Sequence, residues 1–214
     1  MSKPDESPHL PKPGLALRVD ELRAALRLAP VDLLVERTGS TFHALDSGRG
    51  EFRLSLFDSP LTVSFPGLVA YQKNGDPFPP HIQALIIYYF HTADGAPLAR
   101  EWVSFADLPD GRIYDPAFQG YSGNEVVKAF GLDVERFRHA CEKAGGRPEN
   151  FGDAAYVFQA LPRLPLLVNF WFGDEDFPST CKILFDRSLS HYLPTDVAAI
   201  LGGMLARRLA RSAA

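Results

Sequence analysis

Between Ala154 and Asp186 the chain carries three almost unbroken apolar runs, AAYVFQAL, LPLLVNFWF and TCKILFD. Each reads as a strand, and GDEDFPS closes the second onto the third as a hairpin. A strand that is apolar at successive positions has both faces covered. The rest of the chain must therefore supply cover for two sides of a sheet.

Other segments show how. VDELRAALRLA repeats Leu22, Ala25, Leu26 and Ala29 at helical spacing, with Asp20 and Glu21 suited to the positive end of a helix. VDLLVERTG is a second short helix with Gly39 as its stop. EFRLSLF then changes period, placing Phe52, Leu54 and Leu56 inward against Glu51, Arg53 and Ser55, and LTVSF is its hairpin partner. HIQALIIYYFHTADG is long enough for a helix, although its β-branched and aromatic content also suits a strand. WVSF is a short strand with DLPDG as its turn, and IYDPAFQGYSG reads as irregular or as strand followed by turn. NEVVKAFG and LDVERFRHACEKAGG are helices.

The chain closes on a helix capped by Pro194, Thr195 and Asp196, with Val197, Ile200, Leu201, Met204, Leu205 and Leu209 as its apolar stripe. Arg207, Arg208 and Arg211 suit its negative end. Gly202-Gly203 inside it costs about 1 kcal/mol per glycine against alanine. Close packing of the helix backbone onto the sheet would compensate, and a flat ligand pressed there is the other explanation. Helices flank blocks of hairpin-linked strands without strand–helix–strand alternation. The expected class is α+β, a mainly antiparallel sheet built from hairpins, with helices from the N-terminus, mid-chain and C-terminus packed on it. Residues 1–14, with four prolines, read as a disordered tail, and 15–214 as a single domain, since one core grows to about 250 residues.

Composition narrows the function. The 214 residues carry a net charge of -4, and Lys and Arg are scattered apart from Arg207, Arg208 and Arg211. No basic stripe is present, so nucleic acid is not expected as a partner. No apolar run approaches the roughly 18 residues of a membrane span, and MSKPDESPHLPKPG is not a secretory leader. Cys141 and Cys181 have no ligand-type spacing and read as reduced small hydrophobes, which points to the cytoplasm. His43, His81, His91 and His139 show no paired zinc spacing, and the P-loop, G-x-G-x-x-G and G-x-S-x-G signatures are absent.

Three constellations remain. At the exit of the last strand, Asp186, Ser188, Ser190, His191 and Tyr192 could gather on one rim of the sheet. Asp186 could hold the His191 ring, leaving its other nitrogen as a base or ligand. Equally, Asp186 and Ser188 could make local turn bonds while Tyr192 packs. Asp174, Glu175 and Asp176 could hold a hard cation, alone or with His191, or simply keep a hairpin tip in water. Trp102, Tyr114, Phe118 and Tyr121 could line an organic ligand's pocket or belong to the core.

WVSFADLPDG, AFQG (Ala117–Gly120), GDEDFP and ILFDRSLSHYLPTD, in this order and spacing, resemble the recurrent blocks of a prokaryotic family known only as a domain of unknown function, number 3786. The resemblance covers roughly residues 16–211. It implies no established activity. Some members resemble fusions with an iron–sulfur cluster domain of the corrinoid-protein type, which hints at corrinoid or tetrapyrrole metabolism in anaerobes. This chain opens instead on a proline-rich segment without that cysteine cluster, so a redox role would need a separate iron–sulfur or corrinoid protein.

The expectation is thus a cytoplasmic accessory domain that binds a small molecule, corrinoid or tetrapyrrole by the resemblance, or a protein partner. The site residues are His191, Asp186, Tyr192, Ser188, Ser190, Trp102 and Tyr114, and no cofactor is assigned. The alternative is a hydrolase or transferase using His191 as general base oriented by Asp186.

Overall fold

The computed structural model describes residues 13–46 and 48–213. Apart from Pro13 and Gly14, which open the first helix, the proline-rich segment 1–14 lies outside the described residues. Helices α1 (Pro13–Leu26) and α2 (Val31–Thr38) come first, and Gly39 ends α2 in the left-handed region at φ 66°. Strands β1 (Thr41–Asp46), β2 (Arg49–Leu56), β3 (Ser59–Phe65) and β4 (Ala70–Gln72) form an antiparallel meander in chain order. Phe52, Leu54 and Leu56 of β2 are buried, as their alternation requires.

Helix α3 (Pro80–Thr92) crosses to the second half. There β5 (Trp102–Val103), a 3-10 turn at Phe105–Asp107, and helices α4 (Gly111–Tyr121), α5 (Gly123–Phe130) and α6 (Val134–Lys143) precede β6 (Arg147–Glu149), β7 (Ala154–Leu161), β8 (Leu164–Trp171) and β9 (Thr180–Asp186). These strands make a second antiparallel sheet in the order β5-β9-β8-β7-β6. A 3-10 turn, Arg187–His191, leads from β9 into α7 (Thr195–Ser212). The class is α+β, with two sheets in place of one.

The apolar strands are covered on both sides. Tyr156, Phe158, Val168, Phe170, Ile183 and Phe185 face the main core under the helices. Ala155, Val157, Leu167 and Leu184 form a small separate cluster on the opposite face, against which Trp102 packs. That places the Trp102 side chain on the outer face of the sheet.

Helix α4 departs from the reading of IYDPAFQGYSG as irregular or strand. Pro116 and Gly120 argue against a helix locally, but Phe118 anchors the segment. Its ring is fully buried, stacks on Phe105 at 4.2 Å between centroids and lies 5.9 Å from Phe185. The slot for it is cut into α7. A Cβ built on Gly202 would stand 2.7 Å from the Phe118 ring and 3.4 Å from that of Phe185. The glycine pair thus admits an aromatic of α4, with the sheet behind it. Gly202→Ala should cost up to about 2 kcal/mol. Overpacking of roughly 1–3 kcal/mol outweighs the gain of about 1 kcal/mol in helix propensity. Urea unfolding checks this, and an unchanged or higher midpoint contradicts it.

The start of α7 also differs in detail. Pro194 occupies the cap position without a side-chain cap bond, and Asp196 instead accepts from the Val197 N–H at 2.9 Å.

Candidate functional site

Asp186 ends β9 with its side chain buried, 3% exposed. Its Oδ1 accepts from the Ser188 N–H at 3.0 Å, the Ser188 hydroxyl at 2.6 Å and the Ala99 N–H at 2.9 Å. Its Oδ2 accepts from the Arg100 N–H at 2.8 Å. Arg100 is a non-glycine residue at φ 58°, a conformation that persists only where its surroundings hold it. Burial by itself raises the Asp186 pKa, but the donors of Ser188, Ala99 and Arg100 outweigh it and hold the carboxyl below its ordinary value. Glu101 adds a forked pair to Arg187, with both N···O distances at 2.6 Å, solvent-exposed and worth little by itself. Asp186 is therefore a clamp that ties the segment before β5 to the turn after β9.

That clamped segment supplies the carboxylate that meets His191. The His191 Nδ1 lies 2.6 Å from Asp94 Oδ2, with both side chains half-exposed. This contact, first among the causes, holds the Asp94 carboxyl below its usual range. The orienting partner of the imidazole is thus Asp94, and Asp186 is engaged elsewhere. Tyr192 points inward. Its side chain is fully buried, its hydroxyl donates to the Ala96 carbonyl, and its ring lies 6.1 Å from Tyr89 at 28°. Burial raises its pKa. Tyr192 and Ser188 thus serve the framework, as do the hydroxyl of Tyr89 and the Thr38 carbonyl it donates to at 2.6 Å.

Ser190 and Tyr114 do come together. They line a cleft of about 680 Å³ between α4, the turn at Phe105 and the first turns of α7. Tyr121, Pro109, Ala117, Leu193 and Ala199 supply further apolar wall, and Thr92, Thr195, Asp110 and Asp196 supply polar groups. Tyr114 is 61% exposed and Tyr121 42%, so both side chains are accessible at the cleft. Trp102 belongs to the other face of the sheet, and His191 follows Ser190 without lining the cleft.

Asp94 and Thr92 were not singled out from the sequence, and Pro194, Thr195 and Asp196 stood out there only as a helix cap. The Asp-Gly pair at 94–95 marks a turn, but its meeting with His191 spans 97 residues.

The acidic tip turns inward on itself. Asp174 Oδ1 accepts from the N–H groups of Asp176 and Phe177 at 2.9 and 2.8 Å. Among the described residues no three His, Cys, Asp or Glu side chains gather as a metal-ligand set. Cys141 and Cys181 are buried and unpaired, and burial pushes both thiols well above their ordinary pKa, so neither is an activated nucleophile. No helix of the described residues is long and apolar enough to cross a membrane.

A family model described as "Domain of unknown function (DUF3786)" matches residues 34–208, more than half of the chain. No curated protein and no solved structure matches.

Proposed function

The chain belongs to this family, Domain of unknown function (DUF3786), whose description carries no activity, and we propose that it binds a small organic molecule in the cleft between α4 and α7. The cleft's size carries the reading. Its volume of about 680 Å³ falls within the roughly 300–1,000 Å³ usual for ligand sites, and its mostly apolar wall with a few polar groups is their usual chemistry. Tyr114 and Tyr121 suit a planar, conjugated body. Among the described residues no basic side chain lines the cleft, whereas Asp110 and Asp196 do, so the occupant is neutral or cationic and offers N–H donors.

A corrinoid or other tetrapyrrole, the class the family resemblance implies, meets this charge where its side chains are amides and not free acids. An iron–sulfur or corrinoid protein is the corresponding partner class, and the cytoplasm, where unpaired cysteines stay reduced, is the compartment we assign. Saturation-transfer NMR with a panel of planar aromatic amides and amines tests the binding reading. Saturable signals support it, and a panel without binders contradicts it.

One observation favours a second reading, a hydrolase or transferase. The His191 ring is half-exposed and its Nδ1 is held by Asp94, the arrangement of a general base with an orienting carboxylate. Asp94 acts here as a positioning residue in the role first considered for Asp186. With a panel of activated aryl esters, His191→Gln should lower the rate about 100-fold or more, while Asp94→Asn should lower it less and alter the pH profile. Equal rates in wild type and His191→Gln reject this reading.

A further inference from the structure

On the far side of α7 from its N-terminus, a second cavity of about 560 Å³ has the opposite charge. Lys143 at the end of α6, His81 at the start of α3, and Arg207, Arg208 and Arg211 of α7 all border it. Among the described residues none of the ion pairs involves any of these five groups. Asp58, between the lining residues Phe57 and Ser59, directs its carboxylate at Gly145, where it would stand 2.4 Å from an added Cβ. Among the described residues no carboxylate lines the cavity. In a chain of net charge -4, these cations gather around one hollow with no ion-pair partner among the described residues.

The floor beneath is apolar. Phe57 and Ile82 are buried there, and Phe78 and Met204 pack half-buried beside them. Arg208 is held in place by its Nη2, which donates to the Ala144 carbonyl at 3.1 Å. Burial first, and then the charge of Arg207, holds the His81 imidazole below its ordinary proton affinity. Burial of the imidazole is the larger cause, and the neighbouring guanidinium acts in the same direction.

Unpaired guanidinium and ammonium groups over an apolar floor have one complement, an anion with an apolar body. We infer that this cavity binds a small amphipathic anion, with a carboxylate or phosphate among Lys143, Arg208 and Arg211 and a hydrocarbon or aromatic body over Phe57, Phe78, Ile82 and Met204. The cavity shares no lining residue with the α4–α7 cleft and has the opposite charge, so it stands or falls independently of the function proposed for that cleft.

Isothermal titration calorimetry with decanoate and decyl phosphate, each held below its micelle concentration, tests the inference on the full chain. Both should bind the wild type saturably. Decyltrimethylammonium, with the same tail and reversed charge, and inorganic phosphate, with no tail, should each bind at least tenfold more weakly. The headgroup preference between the first two separates a carboxylate source from a phosphate source.

Lys143 and Arg211 are exposed and unpaired among the described residues, so Lys143→Glu/Arg211→Glu should fold, as thermal melting will show. It should weaken the decyl anions about 100-fold. Met204→Glu, which places a like charge on the floor, should do the same from the apolar side of the cavity. Equal affinity for the cationic amphiphile, phosphate binding as tight as decyl phosphate, or unchanged affinity in both variants would overturn the inference. So would retention on phosphatidylglycerol vesicles or poly(U) RNA by a chain that does not bind the monomeric probes, since either would make the patch a surface for macromolecules.

Discussion

Replacing Asp186 with alanine should remove about 3–5 kcal/mol of folding stability, one of the largest losses available to a single substitution in this chain. Three backbone N–H groups, those of Ala99, Arg100 and Ser188, and the Ser188 hydroxyl converge on one buried carboxylate. Each donor left without a partner costs about 1–3 kcal/mol when buried, less at Ala99 and Arg100, whose residues are exposed and can take water. Set against the roughly 5–15 kcal/mol that holds an ordinary domain together, this is a large share of the margin. Asp186→Asn should cost less, because one oxygen remains, yet it turns an amide N–H₂ toward donors.

The pH dependence has a fixed sign. The folded pKa of Asp186 is lowered, so its contribution is fully present above the unfolded value of about 3.9 and is lost as pH falls through the folded value. Wild type and Asp186→Asn should therefore differ most in stability above about pH 4 and converge below it. Chemical denaturation at a series of pH values measures this. A gap that widens on acidification would show that Asp186 is not the ionised clamp described.

The clamp reaches the candidate site at one remove. The same segment carries Asp94, which meets His191, and Ala96, whose carbonyl accepts from Tyr192. Loss of Asp186 should loosen that contact while leaving the core sheet in place.

Ala117→Trp should abolish binding in the α4–α7 cleft while leaving the fold intact. Ala117 is exposed and lines the cleft, one residue before the buried anchor Phe118, so an indole there fills the hollow without entering the core. For the tightest planar binder found with the wild type, the loss should be about 100-fold, close to 2.7 kcal/mol. Thermal melting should change by only a few degrees. Retained affinity would place the binder elsewhere. Lost affinity with a large drop in melting temperature would mark the substitution as disruptive, and Ser190→Trp, at another exposed position on the rim, is then the deciding variant.

The antiparallel strands were legible because burial on both faces forces apolar residues at successive positions, and β7, β8 and β9 meet that demand almost throughout. The short strands β1, β4 and β6 were not. β1 and β6 are mostly exposed and β4 is only three residues long, and all three owe their conformation to a neighbour's hydrogen bonds, which leave little trace in side-chain pattern. Helix α4 was hidden by Pro116 and Gly120 because what holds it is the fit of Phe118 beside Gly202, a tertiary effect that overrides local propensity.

At the site, Ser190 and Tyr114 were recognisable as polar and aromatic residues near turns, and the cleft unites them. The partners of Asp186 could not be read in the same way. Ala99 and Arg100 offer backbone N–H groups, which every non-proline residue carries, from 87 and 86 residues away. The basic cavity was half visible as Arg207, Arg208 and Arg211, which also suit the end of a helix. Only the fold adds Lys143, His81 and the apolar floor.

Backbone amide NMR shifts, recorded while a planar amide from the screen is titrated into the wild-type chain, test the central claim most directly. Saturable shifts are expected at residues 110–121 and 190–199, with residues 143 and 204–212 unmoved. Shifts confined to other regions, or none at ligand concentrations that saturate the binding signal, would contradict it.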